Sequence, residues 1–560
     1  MSNICALCSA SFEITDKDLA FFEHISPKFN GKKELIPPPT LCADCRVQRR
    51  MAWRNDRTFY KRKCDLSGDE FISMYPPDTK FPVYKQDVWH GDGWNPLEFG
   101  REVDLTRSFM EQWAELRDTV PHWGVAISNC QNSDFCNYCT DEKNCYLDIA
   151  AESNEDCFYD HFVKYSVNCV DCTFCYHSTL LYECILCYNA YNCKHSMYLE
   201  DSNDCAFCFD MKGCKDCLLC VNQRGKQYCV LNEQLTKEEY QKRLQELNMS
   251  SYASLQKVFE LWKKMRIEKG IYRDMYNINC ENSSGNNIKS SKNCHHCFNI
   301  TDCEDCAYLY DVMDAKDCHD INYSPYAPEA SYEVISTVGT KFCAFYTMGP
   351  YNVNCYYSQM CQSSKNCFGC AGLKQGEYCI LNKKYSEEQY KELVPKIIAK
   401  MREDGEWGEF FPASLSPHGY NETVAQEYQS LSKEEALRRG FLWRDIPDEI
   451  PEVEKIIPAD RLPDTIKDIP DDVLNWAVTC EETKKPFRIV KQELMFYRRL
   501  GIPLPRRAPE LRHRDRIDLR NPRKLWDRKC AKCQKDIRTS YDPERPEKVW
   551  CESCYLQEVY

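Results

Sequence analysis

Two pairs of cysteines near each end of the chain have the spacing of zinc ligands. The eight residues are Cys5, Cys8, Cys42, Cys45, Cys530, Cys533, Cys551 and Cys554. A CxxC pair closes a tight turn that directs both sulfurs to one point about 2.3 Å away, the Zn–S distance. Two such pairs fill all four positions of a tetrahedral zinc ion and leave none for a substrate. We therefore expect two structural zinc ribbons, one at each end.

A third segment repeats the spacing of the first ribbon but lacks most of its sulfur. When residues 480–512 are aligned with residues 5–46, Cys480 takes the position of Cys5, and Thr483, Ala508 and Leu511 take the other three ligand positions. The apolar residues between them keep their spacing. We expect this segment to fold as a degenerate ribbon without metal.

The N-terminal pattern resembles a bacterial zinc-ribbon type. It has a CxxC pair, a phenylalanine, the stretch Asp18-Leu19-x-Phe21 and the closing sequence Pro39-x2-Cys42-x2-Cys45-Arg46. Together with the Cys-rich middle, the chain is similar over nearly its full length to a group of Cys-rich zinc-ribbon proteins from bacteria with very small genomes. This resemblance implies structural zinc and no particular reaction.

The middle of the chain contains two copies of a cysteine ladder with a period of twelve residues. All seventeen cysteines from Cys130 to Cys229 fall on one three-residue grid. The first ladder is Cys145, Cys157, Cys169, Leu181, Cys193, Cys205, Cys217 and Cys229; the second is Cys294, Cys306, Cys318, a rung without Cys, Cys343, Cys355, Cys367 and Cys379. A fixed period over this length predicts a repeat architecture.

A twelve-residue period with a small residue at every third position predicts a narrow β-solenoid, whose coils stack about 4.8 Å apart. Asn or Asp before many rungs, as at Asn144 and Asp156, suits a corner with left-handed backbone. We expect the aromatics between grid positions to stand on the outer faces: Tyr146, Phe158, Tyr159, Phe174, Tyr182, Tyr198 and Phe207. The period resembles that of twelve-residue insect antifreeze solenoids, but their paired threonine column is absent, so ice binding is not implied.

Two other interpretations of the central cysteines remain open. Pairs such as Cys184-x2-Cys187 and Cys205-x2-Cys208 also fit a string of zinc knuckles. Knuckles do not require one phase over a hundred residues, however, and the rungs at Cys145 and Cys157 have no CxxC partner. Thiol redox catalysis would need an exposed cysteine at a helix start, and the ladder does not indicate one. The solenoid interpretation is favoured.

The predicted fold class is mainly β and multidomain, with terminal zinc ribbons flanking two tandem narrow β-solenoid arrays that carry short capping helices. Capping boxes at Thr236 and Ser386 predict a helix after each array. The predicted segments are 1–64, N-terminal ribbon with a basic tail; 65–128, aromatic connector; 129–232, first array; 233–278, helical cap and connector; 279–382, second array; 383–404, capping helix; 405–475, Pro-rich linker; 476–516, degenerate ribbon; and 517–560, C-terminal ribbon.

Residues 65–128 offer a weak alternative site. His90, Asp92, Asp104 and His122 could form an acid–base or metal group. An arrangement of surface residues around an aromatic cluster near Trp89 is the favoured interpretation.

Composition and charge restrict the class of protein and its cellular compartment. The net charge is −13 and the mean hydropathy is −0.62. No apolar run approaches 18 residues, so a membrane span is not expected. No leader sequence is evident, so we expect a cytoplasmic protein in a reducing compartment, with cysteines as thiols or metal ligands.

We therefore expect a non-enzymatic, zinc-binding interaction or scaffolding protein with a protein partner and no membrane partner; the oligomeric state stays open. The alternative is a nucleic-acid or ribosome binder, because residues 46–63 carry eight Lys/Arg against one Asp. Its candidate residues, which would meet phosphates with Arg and stack bases on Trp, are Arg46, Arg49, Arg50, Trp53, Arg54, Arg506, Arg507, Arg512, Arg514 and Arg516.

Overall fold

The chain folds as two compact units, each built from two separate stretches of sequence. A computed structural model describes residues 2–447 and 451–560. Unit 1 comprises Met1–Val125 and Met275–Arg444, and unit 2 comprises Ala126–Asp274 and Asp445–Tyr560. The described residues contain twelve α-helices beside many strands. The chain is thus mixed α/β and not clearly mainly β as expected, because all twelve of these helices lie outside the two arrays.

Unit 1 contains the N-terminal ribbon and the second array. Its α-helices are Asp16–Ile25, Ala43–Met51, Gln86–His90, Phe109–Arg117, Glu387–Glu403, Val424–Tyr428 and Lys433–Arg438. Strands outside the array are Ser2–Ile4, Ser11–Glu13, Lys28–Phe29, Lys32–Lys33, Tyr60–Lys63, Glu70–Ser73, Val83–Tyr84 and His122–Trp123. The array is one eleven-stranded sheet of Asn277–Ile278, Gly285–Lys289, Cys297–Thr301, Tyr310–Met313, His319–Ser324, Tyr332–Val338, Ala344–Pro350, Val353–Gln359, Lys365–Phe368, Cys379–Ile380 and Lys383–Lys384.

Unit 2 contains the first array, the degenerate ribbon and the C-terminal ribbon. Its α-helices are Lys237–Leu247, Tyr252–Glu268, Lys491–Leu500, Pro509–Leu519 and Glu552–Val559. The array strands are Ile127–Ser128, Cys139–Thr140, Met197–Glu200, Asn203–Ala206, Phe209–Lys212, Lys215–Leu218, Val221–Arg224, Gln227–Val230 and Glu233–Gln234. The others are Ile271–Arg273, Lys455–Pro458, Trp476–Thr479, Pro486–Phe487, Trp526–Lys529, Asp536–Thr539 and Lys548–Trp550.

Both arrays are built mainly from parallel pairings that repeat every twelve residues. In the first, Cys205 pairs with Cys217 and Cys217 with Cys229. In the second, Cys355 pairs with Cys367. One step in the second array is thirteen residues long, from His319 to Tyr332. This extra residue explains why the fourth rung of that ladder is displaced and occupied by Ser331.

The backbone turns at every third residue, directly before an inward-pointing side chain. Asn144 and Asp156 adopt left-handed φ angles of 56° and 55°, as their sequence position predicted. Asn144 Nδ2 also donates to Asp156 Oδ1 at 3.2 Å, so corner side chains of successive coils are linked. The grid cysteines point inward and form the core of each array.

The outer aromatics do not form an open surface. Phe158, Tyr159 and Tyr182 are 3%, 2% and 5% exposed, because the degenerate ribbon packs over them with Leu494 and Tyr497. These aromatic side chains therefore lie on the outside of the array and pack against the degenerate ribbon of the same unit.

Each array ends in the same way. Helices Lys237–Leu247 and Glu387–Glu403 begin at the predicted capping boxes of Thr236 and Ser386. Tyr240 lies 5.8 Å from Tyr228, and the corresponding Tyr390 lies 5.7 Å from Tyr378, between ring centroids. None of the helices within the described ranges is long and apolar enough to cross a membrane.

The Pro-rich stretch 405–475 is not an extended linker where the structure describes it; residues 448–450 lie outside the described residues. Trp407, Phe411 and Val424 are buried in unit 1, and Ile466 and Val473 are buried in unit 2. The prolines separate short helices and turns that pack on the rest of each unit.

Candidate metal centres

The N-terminal ribbon brings its four cysteines together. Cys5 follows the strand Ser2–Ile4, and Cys42 caps the helix Ala43–Met51, which contains Cys45. The four sulfurs lie within 4.8 Å of one another, and the Cys8 and Cys42 Sγ atoms are 3.7 Å apart. Sulfurs around one tetrahedral zinc lie about 3.8 Å apart, given Zn–S bonds of about 2.3 Å. The cluster could therefore hold a metal ion.

The thiols of this cluster are electrostatically unequal. A hydrogen bond with Cys45 lowers the pKa of Cys42 to about 5, and the same contact raises the pKa of Cys45 far above its usual range. The contact with Cys45 therefore favours the thiolate form of Cys42. Thiolate is the form that binds metal.

The C-terminal ribbon repeats this geometry. Its four sulfurs also lie within 4.8 Å of one another, with 3.7 Å between the Cys533 and Cys551 Sγ atoms. Burial raises the pKa of Cys530, but the backbone N–H groups of Cys533 and Cys551 lower it more, to about 6. All eight predicted ligands therefore fall into two four-cysteine groups, as their spacing required.

Two further modules have the same backbone turn with only one cysteine. In each of the four modules, the N–H of the fourth residue after the first Cys donates to the carbonyl oxygen of that Cys: these donors are Ser9, Gly68, Lys484 and Gln534. All four have positive φ. The turn at Cys480 lies in the predicted degenerate ribbon, whereas a ribbon turn at Cys64 was not predicted.

Backbone N–H groups surround the single sulfur in these two modules. Cys64 Sγ accepts from Ser67 N and Lys85 N, both at 3.4 Å, and Cys480 Sγ accepts from Ala508 N at 3.4 Å. These positions correspond to metal ligands in the intact ribbons. The missed signal at Cys64 was its spacing to Gly68, which repeats that of Cys530 to Gln534.

The array cysteines use their thiols differently. Cys184 Sγ donates to the carbonyl oxygens of Tyr182 and Cys193, both at 3.5 Å, and Cys361 does the same with Gln359 and Cys370 at 3.4 and 3.5 Å. Across residues 2–447 and 451–560, no three array cysteines bring their Sγ atoms within 4.8 Å of one another. A string of four-cysteine zinc knuckles therefore does not form.

The arginines on the helix of the first ribbon pack inside unit 1, where Arg46 and Arg50 are buried and Arg49 is partly buried. Arg46 donates to Asp320 at 3.0 and 2.8 Å. Arg50 donates to Asp320 at 3.0 Å and to Glu333 at 2.8 Å. Arg49 contacts Glu333 at 3.1 Å and Glu409 at 2.8 Å. These contacts bind the ribbon helix to the second array.

The degenerate ribbon makes the same contacts in unit 2. Arg512 and Arg516, which align with Arg46 and Arg50, lie 3.1 and 2.9 Å from Asp171. Arg516 also contacts Glu183 at 3.2 Å. Asp171 and Glu183 stand two residues after their rungs, as Asp320 and Glu333 do. Loss of the metal ligands has left this docking contact intact.

Most of the other predicted nucleic-acid-binding residues form ion pairs or ring contacts with other residues of the chain. Trp53 is 1% exposed and lies 5.2 Å from Phe411 between ring centroids, and Arg54 pairs with Asp56 at 2.7 Å. Arg506 stacks on Tyr252, with 3.9 Å from its Cζ to the ring centroid. Arg507 pairs with Glu482 at 2.8 Å and also with Asp515. Arg514 is exposed.

The four candidates between residues 65 and 128 form no metal group. His122 is buried against Phe81, with ring centroids 3.9 Å apart, and burial lowers its pKa. Asp104 accepts from the N–H of Thr106 at 2.8 Å, while Asp92 is exposed. Within the described ranges, none of the ligand groups includes any of the four.

No family model matches the chain, and no curated protein matches it. A solved structure described as a "putative acetyltransferase" from Desulfovibrio desulfuricans G20 is 8% identical, and the alignment covers 44% of this chain and 64% of that chain, with a TM-score of 0.09. A likeness this weak carries no argument about fold or activity.

Proposed function

We propose that this chain is a non-enzymatic, zinc-binding interaction or scaffolding protein. Zinc is the metal that suits two closed four-cysteine sites, because its structural sites are tetrahedral and rich in thiolate. Each site lies in a module too small to bury a large core, so the metal would supply folding free energy there. Such a site has no free coordination position for substrate.

In this proposal the two arrays are β-solenoids that act as rigid, elongated supports. The observation that supports this proposal is the difference between two sets of cysteines. Array thiols donate hydrogen bonds to backbone carbonyl oxygens. Within the described residues, groups of four sulfurs close to one another occur only at the two terminal clusters. Repeat arrays of this kind create extended binding surfaces. The proposal fits a member of the Cys-rich bacterial group that the sequence resembles.

The exposed edge of the second array supplies a candidate protein-binding surface. Lysines and glutamates alternate up successive coils, with Lys341 paired to Glu329 at 2.8 Å and Lys316 to Glu304 at 3.8 Å. These pairs are about half exposed, so they contribute little to stability and remain available to a charged partner. The buried arginines, by contrast, do not favour the nucleic-acid alternative.

Crosslinking of the zinc-loaded full chain in the cells that produce it tests this proposal. We expect recurrent crosslinks from Lys316 and Lys341 to one protein, and their loss when both residues are changed to Glu; the matched control changes Lys263 and Lys264. Salt-dependent retention on single-stranded RNA that weakens in Arg514→Glu would instead support the nucleic-acid alternative. Absence of any recurrent protein crosslink would contradict the scaffold.

A further inference from the structure

One stretch of the first array has an acidic interior. Its grid positions carry Glu142, Asp148, Asn154 and Asp160, which are at most 2% exposed. The second array has Ser291, Cys297, Cys303 and Leu309 at the corresponding places. Packing of a coil therefore does not require carboxylates there. Their presence in one copy alone calls for a different explanation.

These carboxylates converge with two thiols. One carboxylate oxygen of Glu142, the Cys145 Sγ and one oxygen of Asp148 lie within 4.8 Å of one another. Asp148, Cys157 and Asp160 form a second group with the same property. Asp148 belongs to both. Oxygen and sulfur ligands of one tetrahedral zinc ion lie about 3.6 Å apart, given bonds of about 2.1 and 2.3 Å.

Two of these carboxylate oxygens have no hydrogen-bond donor among the described residues. Glu142 Oε1 accepts from Asn154 N at 3.3 Å, and Asp160 Oδ1 accepts from Cys172 N at 2.6 Å. The other oxygen of each, Glu142 Oε2 and Asp160 Oδ2, is fully buried and accepts no hydrogen bond from any residue within the described ranges. Buried polar atoms in native proteins nearly always have a partner. Two such oxygens beside one cluster point to a missing ligand.

A cation satisfies this arrangement better than the surrounding side chains do. Glu142 and Asp160 are 1% and 0% exposed, so the charge of each carboxylate is removed from water and requires a partner inside the array. Asn154 Nδ2 donates to Asp148 Oδ2 at 3.0 Å, which orients that carboxylate as outer donors orient metal ligands. Arg516, the nearby cation, is already paired with Asp171 and Glu183.

We propose that the interior of the first array binds divalent cation at two adjoining groups that share Asp148: Glu142, Cys145 and Asp148, and Asp148, Cys157 and Asp160. Mixed thiolate and carboxylate ligands suit a borderline ion such as Zn²⁺ better than Mg²⁺ or Ca²⁺. The site is separate from the terminal clusters. It would fix the coils of the first array that have the fewest cysteines.

Metal analysis of the full chain tests this site. The protein is loaded with zinc, freed of unbound metal by gel filtration and measured by mass spectrometry. We expect Asp148→Asn, which keeps the side-chain shape, to lose at least one zinc ion per chain while both terminal clusters stay loaded. The matched control is Cys297→Ser at the equivalent place in the second array, which should lose none.

Protonation is the competing explanation. If the carboxyl groups are protonated instead, Asp148→Asn will contain as much zinc as the parent protein and will unfold at the same or a higher temperature. That result would overturn the proposal. Asp160→Asn serves as a second variant if Asp148→Asn does not fold. Cys42→Ser removes terminal metal only, so failure of the terminal sites and failure of this site are distinguishable.

Discussion

Arg50 and Asp320 form a fully buried ion pair, although 270 residues separate them in sequence. Arg516 and Asp171 form the same pair in the other unit, at 2.9 Å. In each case the arginine lies on the helix after a ribbon and the aspartate lies two residues after a rung of the array. Each unit therefore contains a ribbon docked on an array, and the intact and the degenerate ribbon use the same docking contact.

Breaking this pair is expected to destabilise the unit that contains it. Asp320→Asn removes one of the two buried carboxylates that pair with Arg46 and Arg50 and leaves Glu333, so we expect a loss of about 3 kcal/mol of unfolding free energy, the low end for breaking a buried pair. Asp171→Asn should have a similar effect in unit 2. Urea unfolding with zinc present measures both. The matched control is Asp536→Asn, whose pair with Lys529 is exposed and should contribute nothing measurable; equal effects for all three would contradict the docking role.

Metal content should respond to intact ribbons and not to degenerate ones. Cys42→Ser removes one of four converging sulfurs, so we expect a loss of one zinc ion per chain. Cys64→Ser and Cys480→Ser remove sulfurs that accept hydrogen bonds from backbone N–H groups and should leave the zinc count unchanged. Elemental analysis of purified protein decides this. A metal loss in either of the latter variants would show that the single-cysteine modules bind metal after all.

Stability should fall at acid pH partly through His418. This histidine stacks on Tyr75 at 5.1 Å between ring centroids, and burial lowers its pKa to about 3. The unfolded chain takes up a proton below about pH 6.5 and the folded chain does not, so folding loses about 2 kcal/mol between pH 7 and pH 5 from this one group. His418→Phe should reduce the pH dependence by that amount.

The control for this prediction is His24→Phe, because His24 is exposed where His418 is buried. Urea titrations at the two pH values supply the numbers. If His418→Phe shows the parental pH dependence, the histidine is not buried in its neutral form.

The array thiols should resist modification in the folded protein. Cys130 and Cys280, in the first coil of each array, are partly exposed, while Cys184 and Cys187 are buried. Alkylation of the zinc-loaded chain followed by peptide mass spectrometry should label the first two and spare the second two until denaturant is added. Comparable labelling of all four would mean that the coils open readily.

The sequence predicted the parts of this fold that depend on local or periodic spacing. The twelve-residue ladder predicted the pairing of Cys205 with Cys217, and each CxxC pair predicted its own knuckle. The basic run from Arg46 to Arg54 suggested a solvated surface because its acidic partners are not close to it in the sequence. Those partners lie on coils about 270 residues away. The ribbon-like module at Cys64 was not predicted because it keeps a cysteine at only one of the four ligand positions. Its backbone turn was then the only remaining signal in the sequence.

X-ray diffraction from crystals of the full chain at the zinc absorption edge tests the account most directly, because anomalous scattering locates each metal ion. We expect one peak enclosed by Cys5, Cys8, Cys42 and Cys45, and one enclosed by Cys530, Cys533, Cys551 and Cys554; scattering beside Asp148 would come from the separate site proposed above. Peaks between array pairs such as Cys184 and Cys187, or the absence of peaks at the terminal clusters, would contradict the account.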